Sequence, residues 1–175
     1  EVLVDPSCAG QTVVMTYPLI GNYGITPDGE SKRAWADGVI VRELSRRASN
    51  FRCEGDFENF LKEQNVTGIC GIDTRALTKL LREKGTMKGM ITTNDRYDLK
   101  EVLKQIKEHT ELKFIDKTTV DEVYVIPGEG KKVALLDFGQ KANMVASLKK
   151  RGCQVTIYPA FSKAEDILKS NPEGI

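Results

Sequence analysis

The chain has 175 residues, 40% of them hydrophobic and 29% charged, and its 26 basic and 25 acidic side chains leave a net charge of +1. That balance fits an ordinary globular chain, one medium domain or a small domain with part of another, and excludes a disordered tail. No basic block points to nucleic acid or an anionic membrane surface, and no apolar run approaches the roughly 20 residues that span a bilayer.

The N-terminal EVLVDPSCAG is acidic and its apolar run is short, so it does not read as a signal peptide. Residues 11–17 (QTVVMTY) are β-branched and predict a strand that Pro18 ends. Residues 20–31 are rich in Gly, Asn, Pro and Asp, a loop by composition. Residues 38–44 (GVIVREL) predict a second strand, and 46–53 are irregular. Asp56 is placed to cap a helix over 57–64, and 66–72 follow as a short apolar strand. The clearest helix of the front half starts at Asp73 or Thr74. Ala76, Leu77, Leu80 and Leu81 are its apolar face, Arg82 and Lys84 complement its dipole, and Gly85 is its left-handed stop. Residues 89–93 predict a strand. Asp98 and Glu101 form a capping-box pattern for a helix that buries Leu99, Val102, Leu103 and Ile106. Residues 120–126 predict a last strand of this part.

The polar, turn-forming run 127–132 (PGEGKK) reads as a domain boundary. Beyond it, 133–137 (VALLD) is a continuous apolar strand of the kind buried on both faces. A turn at 138–141 leads to a helix over 142–151 that Gly152 stops. A strand at 153–158 ends at Pro159. Ser162 with Glu165 then suggests a capping box for a helix reaching Ser170, and Asn171-Pro172 breaks it. Gly174-Ile175 would begin a third strand. This is the β-α-β-α rhythm of a parallel sheet. So few parallel strands cannot bury two faces, so the back segment is expected to be an incomplete domain. The fold class is therefore mixed α/β.

Chemistry is sparse. The four cysteines, Cys8, Cys53, Cys70 and Cys153, lack C-x-x-C spacing and read as free thiols in a reducing compartment. The single histidine, His109, falls at the end of an amphipathic helix, where a surface histidine is the plain reading. No G-x-S-x-G or G-x-C-x-G elbow occurs. The turn Asp137-Phe138-Gly139-Gln140-Lys141 matches neither phosphate-loop pattern. Asp137 is one acid at a strand end without a second, which weakens a nucleotide-binding or receiver-like reading. Ser7, after Asp5-Pro6, either caps a turn or offers its hydroxyl and N–H to a ligand. The loop Gly21-Asn22-Tyr23-Gly24 either merely turns or lets a partner approach closely. Arg75 by default makes a local ion pair.

Read together, these residues resemble a known family. Asp5-Pro6-Ser7, Thr16-Tyr17-Pro18-Leu19-Ile20-Gly21-Asn22-Tyr23-Gly24, Ala48-Ser49-Asn50-Phe51-Arg52 and the run from Gly71 through Asp73-Thr74-Arg75 to Gly85 resemble one domain. It is the N-terminal domain of the small, glutamine-hydrolysing subunit of carbamoyl-phosphate synthetase. Asp137-Phe138-Gly139, Lys141, Asn143 and Arg151-Gly152-Cys153 resemble the opening of that subunit's class I glutamine amidotransferase domain. The resemblance implies an N-terminal domain over 1–127, lacking the family's first strands, and the truncated start of the amidotransferase domain over 132–175. It implies a cytoplasmic heterodimer with a large subunit. The small subunit hydrolyses L-glutamine with a Cys–His–Glu triad, and the large subunit uses the ammonia, ATP, Mg and bicarbonate to make carbamoyl phosphate for arginine and pyrimidine biosynthesis. It places Ser7 in glutamine binding. The family's nucleophile elbow, oxyanion loop and later His and Glu would lie beyond Ile175. Catalytic residues, metal ligands and cofactors are therefore not expected in this chain, which alone should be inactive. Partners other than the large subunit and glutamine are not expected either, neither nucleic acid nor membrane. The competing expectation is a non-catalytic docking or ligand-sensing module. The Gly21–Gly24 loop and the start of the Asp73–Gly85 helix are the surfaces expected to meet the large subunit.

Overall fold

A computed structural model of the chain describes residues 1–110 and 114–175. It divides into two compact units, Glu1–Leu112 and Lys113–Ile175. Both are built from short strands and helices, a mixed α/β fold.

The first unit carries β1 (Thr12–Val14), β2 (Leu19–Ile20), β3 (Gly38–Ile40), β4 (Glu43–Leu44) and β5 (Thr67–Ile69), with helices α1 (Phe57–Glu63), α2 (Thr74–Lys84) and α3 (Leu99–Glu108). The strands of its larger sheet run parallel in the order β1-β3-β5, with Val13 opposite Val39 and Val39 opposite Gly68. β2 pairs parallel with β4 as a separate ladder. The register explains the separation. Thr12 faces Gly38 but Leu19 faces Glu43, so two extra residues sit on the first side, around Pro18, which has no N–H to give a ladder. Leu3, Ala36, Val39, Val41 and Leu61 make the core, with Phe57, Phe60 and Val66 packed around them.

Each helix start follows from a carboxylate. Asp56 accepts from the N–H groups of Glu58 and Asn59, Asp73 from Ala76 and Asp98 from Lys100. Gly85, at φ +84°, closes α2 with its N–H on the Leu81 carbonyl. On exposed α1, the Glu58 carboxylate 2.7 Å from Lys62 Nζ raises the lysine pKa, first through their hydrogen bond and then through charge.

The helices differ from expectation in what they bury. Thr74 is only 1% exposed, and Leu77, Thr78 and Leu81 are half-buried, whereas Ala76 and Leu80 face outward. The inward stripe of α2 is thus 74-77-78-81: it keeps Leu77 and Leu81 of the expected face and has Thr74 and Thr78 in place of Ala76 and Leu80. α3 was expected to bury its apolar stripe, yet none of its residues is buried and Leu99 is 60% exposed. The Lys88 ammonium donates to the Lys107 and His109 carbonyls at the C-terminal end of α3. Residues 89–93, expected as a strand, form none. Gly89 begins that segment, and a glycine contributes no side chain to a strand face.

The second unit holds α4 (Ile115–Thr118), β6 (Tyr124–Ile126), β7 (Lys132–Asp137), α5 (Ala142–Lys150), β8 (Gln154–Pro159) and α6 (Ala164–Lys169). β7 and β8 are parallel neighbours around α5, and β6 lies antiparallel on the other edge of β8. Central β8 is the buried strand, with Val155 and Ile157 fully enclosed; β7 buries only Ala134 and Asp137. Because β6 pairs with β8, the strand preceding the 127–132 run shares a sheet with those that follow it. The division by contacts accordingly falls earlier, between Leu112 and Lys113. Gly174 forms a parallel bridge with Val133, its carbonyl accepting from Ala134 at 2.9 Å, as a third strand would begin. The cap of α6 is Lys163, without a side-chain bond, and not Ser162. The Ser162 N–H instead closes a turn on the Pro159 carbonyl, which starts the helix at Ala164.

Candidate functional site

The segment that carries Ser7 is a pair of single 3-10 turns, Val2–Val4 and Pro6–Cys8. Pro6 suits the first position of the second turn because its fixed φ is helical and its missing N–H is not needed there. Leu3, Val4, Pro6 and Ala9 are buried and anchor the segment in the core. Further bonds tie it down. The Leu3 carbonyl accepts from Trp35 at 2.8 Å, and the Val4 carbonyl accepts from the Ser31 hydroxyl at 3.0 Å.

Within the turn, the Asp5 carboxylate accepts from the Ser7 N–H at 2.9 Å, and the Ser7 carbonyl accepts from Gln11 Nε2 at 3.1 Å. Both backbone groups of Ser7 are therefore engaged. Of the two groups that the sequence offered to a ligand, the N–H is taken by Asp5. The hydroxyl stands on the exposed face of an anchored turn. A small hydroxyl held this way can hydrogen-bond a polar ligand without ordering the backbone at the moment of binding.

The Gly21–Gly24 loop is fixed as well. Gly21 and Gly24 have φ of +91° and +66°. A Cβ on Gly24 would lie 2.6 Å from the Gly55 carbonyl oxygen and against Cys53 Sγ, so only glycine fits. Cys53 itself donates to that carbonyl at 3.2 Å. Arg75, in the first turn of α2, is exposed, and the Asp73 carboxylate beside it is engaged by the helix N-terminus.

In the second unit, the Asp137 carboxylate is 2% exposed and accepts from three N–H groups, those of Val120, Gly139 and Gln140, at 2.9, 3.0 and 2.8 Å. The donors that a phosphate would need at this strand-to-helix turn are thus already bonded, which accounts for the absent phosphate-loop pattern. His109 caps the exposed end of α3 in the first unit. Cys8, Cys53, Cys70 and Cys153 are free thiols. Among the described residues no three His, Cys, Asp or Glu side chains gather as a metal site, and no helix is long and apolar enough to cross a membrane. An apolar cavity of about 250 Å³ lies between α1 and β5, lined by Val39, Phe57, Leu61 and Cys70 among others; Ser7 is not part of it.

Residues 1–91 match the family model described as carbamoyl-phosphate synthase small chain, CPSase domain. The chain belongs to the carbamoyl-phosphate synthase small chain family. Curated small chains extend the likeness across both units. The carbamoyl phosphate synthase small chain of Clostridium perfringens is 49% identical over 174 residues, covering 99% of this chain and 50% of that protein. The small chain of Chlorobaculum tepidum is 44% identical over 180 residues, covering all of this chain and 49% of the relative. That of Listeria monocytogenes is 40% identical over 178 residues, again covering all of this chain and 48% of the relative. The chain spans about half the length of the curated relatives it matches. Within this small-chain segment, the sequence reading missed the wide exposure of Tyr17, Tyr23 and Phe51. The signal was available for Tyr23 and Phe51, which lie in the runs 20–31 and 46–53 that predict no strand or helix.

Proposed function

We propose that this chain is part of the glutamine-hydrolysing subunit of a carbamoyl-phosphate synthase and that Ser7 is a glutamine contact. Family membership supports the subunit, and the anchored Asp5-Pro6-Ser7 turn with its exposed hydroxyl supports the contact. Hydrolysis of the glutamine amide proceeds by attack of a cysteine thiolate on the amide carbon. Ammonia leaves, and water then releases glutamate from the thioester. A base is needed to carry the protons and an oxyanion site to stabilise the intermediate. The only histidine of these 175 residues is His109, which caps an exposed helix end, and Asp137 is engaged by three backbone N–H groups. The segment therefore presents glutamine and does not cleave it; the nucleophile, base and oxyanion donors belong to other parts of the subunit. The partner is the large chain, which consumes the ammonia with ATP and Mg in the cytoplasm.

The test compares carbamoyl phosphate formation by the full-length small chain with its large chain, fed glutamine or ammonia, beside glutamate release by residues 1–175 alone. Glutamine-dependent synthesis by the pair with no glutamate from the segment is the expected result. Glutamate release by the purified segment, or a pair that uses only ammonia, contradicts the reading.

A further inference from the structure

Helix α3 is amphipathic, yet its apolar face stays largely in water. Leu99, Val102, Leu103 and Ile106 fall within about 100° of one another around the helix axis. Leu99 is 60% and Leu103 47% exposed, and Val102 and Ile106 are only half-buried. Both ends of the helix are held. The Asp98 carboxylate accepts from the Lys100 N–H at 2.8 Å, and the Lys88 ammonium donates to the Lys107 and His109 carbonyls at 3.3 and 2.5 Å. A helix of ten residues gains little stability from its own hydrogen bonds, so such a face calls for cover. The two edges of the face carry opposite charge. At about 100° per residue, Lys100 and Lys107 line one edge with Lys104 behind them. Asp98 and Gln105 line the other edge with Glu101 behind them, and the Glu101 carboxylate accepts from Gln105 Nε2 along that edge at 3.4 Å. All six side chains are exposed.

From this arrangement we infer that α3 pairs in parallel with α3 of a second copy of this chain, across a two-fold axis running along the helices. Leu99, Val102, Leu103 and Ile106 of both copies form the seam. Charge selects both the occupant and the orientation. A two-fold axis parallel to α3 sets the basic edge of each copy against the acidic edge of the other, on both sides of the seam. An axis perpendicular to α3 would set lysine against lysine and acid against acid. A helix face with one basic and one acidic edge is thus its own complement in the parallel arrangement alone.

The test is sedimentation equilibrium of the full-length small chain from about 1 to about 200 µM. A seam about 15 Å long belongs with small interfaces, so a dimer with Kd of about 10 µM is expected. Leu103→Glu raises Kd at least about 30-fold. Its thermal unfolding at low concentration, where the chain is monomeric, stays unchanged because Leu103 is exposed there. Lys100→Glu with Lys107→Glu makes both edges acidic, and Glu101→Lys with Gln105→Lys makes both predominantly basic. Each double variant alone raises Kd about tenfold at low salt, a difference that closes at high salt. Mixed together, the two variants form a heterodimer at least as tight as the wild-type dimer, since acid then meets base on both sides of the seam. A full-length chain that stays monomeric throughout overturns the inference. In that case, loss of monomer stability in Leu103→Glu assigns the face to another part of the same chain. A dimer that Leu103→Glu leaves intact lies elsewhere on the molecule and also overturns it. Charge variants that dimerise as wild type at low salt, or that fail to restore one another, overturn the parallel pairing.

Discussion

Asp137 and Gly24 show how single residues fix the two units. The three N–H groups on the Asp137 carboxylate come from the half-buried turn at Gly139 and Gln140 and from Val120, 17 residues earlier. Asp137→Ala leaves these donors without a partner and costs about 3 kcal/mol, read as a shift of the second unit's unfolding in urea. Gly24→Ala combines a positive φ with a Cβ against Cys53 and Gly55, and costs at least about 2 kcal/mol by the same measurement on the first unit. The local caps Asp56, Asp73 and Asp98 were legible in the sequence because an N-cap bonds only two or three residues ahead. The role of Asp137 was not, since its Val120 partner comes from a distant loop. Ser162 was misread for a related reason: an additional turn after Pro159 displaces the helix start.

At the scale of elements, periodicity located the helices but not what covers them. The expected face of α2 includes Leu77 and Leu81, which do turn inward, but omits Thr74 and Thr78, whose inward hydroxyls are buried without a partner among the described residues. Thr78→Val removes one such hydroxyl at nearly constant shape and stabilises the first unit by about 1 kcal/mol in thermal or urea unfolding. α3 has a strong apolar stripe of which Leu99 and Leu103 are exposed and Val102 and Ile106 only half-buried, because periodicity reports a face and not its neighbour. In the first unit the strands expected over 11–17, 38–44 and 66–72 are shorter in fact, the one expected over 89–93 does not form, and β2 was not foreseen; Pro18 and its extra residues split one ladder into two. Lys62 on α1 contributes to the pH dependence of this unit at the alkaline end. Its pKa is raised in the folded state by Glu58, so the contribution to stability is present below the ordinary lysine value of 10.5 and is lost as pH rises through the raised value. Lys62→Gln therefore flattens the alkaline end of the stability–pH curve and leaves its slope near neutrality unchanged.

For the molecule as a whole, the α/β class and the β-α-β-α rhythm of the second unit followed from alternating strand and helix patterns. The position of the division did not follow from composition. Pro127 to Lys132 looks like a linker, but β6 before it pairs with β8 after it. Strand pairing across 30 residues leaves no local signature. Asp-Pro-Ser alone reads as a turn, and the structure shows that turn; the proposal of Ser7 as a glutamine contact comes only from the ordered family motifs. The proposed function is that of a segment that presents glutamine, through the fixed Ser7 turn, to chemistry done elsewhere. The most direct measurement is the steady-state kinetics of Ser7→Ala in the full-length small chain with its large chain. The account predicts a KM for glutamine raised about tenfold, the loss of one ligand hydrogen bond, with ammonia-dependent synthesis unchanged. An unaltered KM for glutamine, or an equal loss with ammonia, contradicts it.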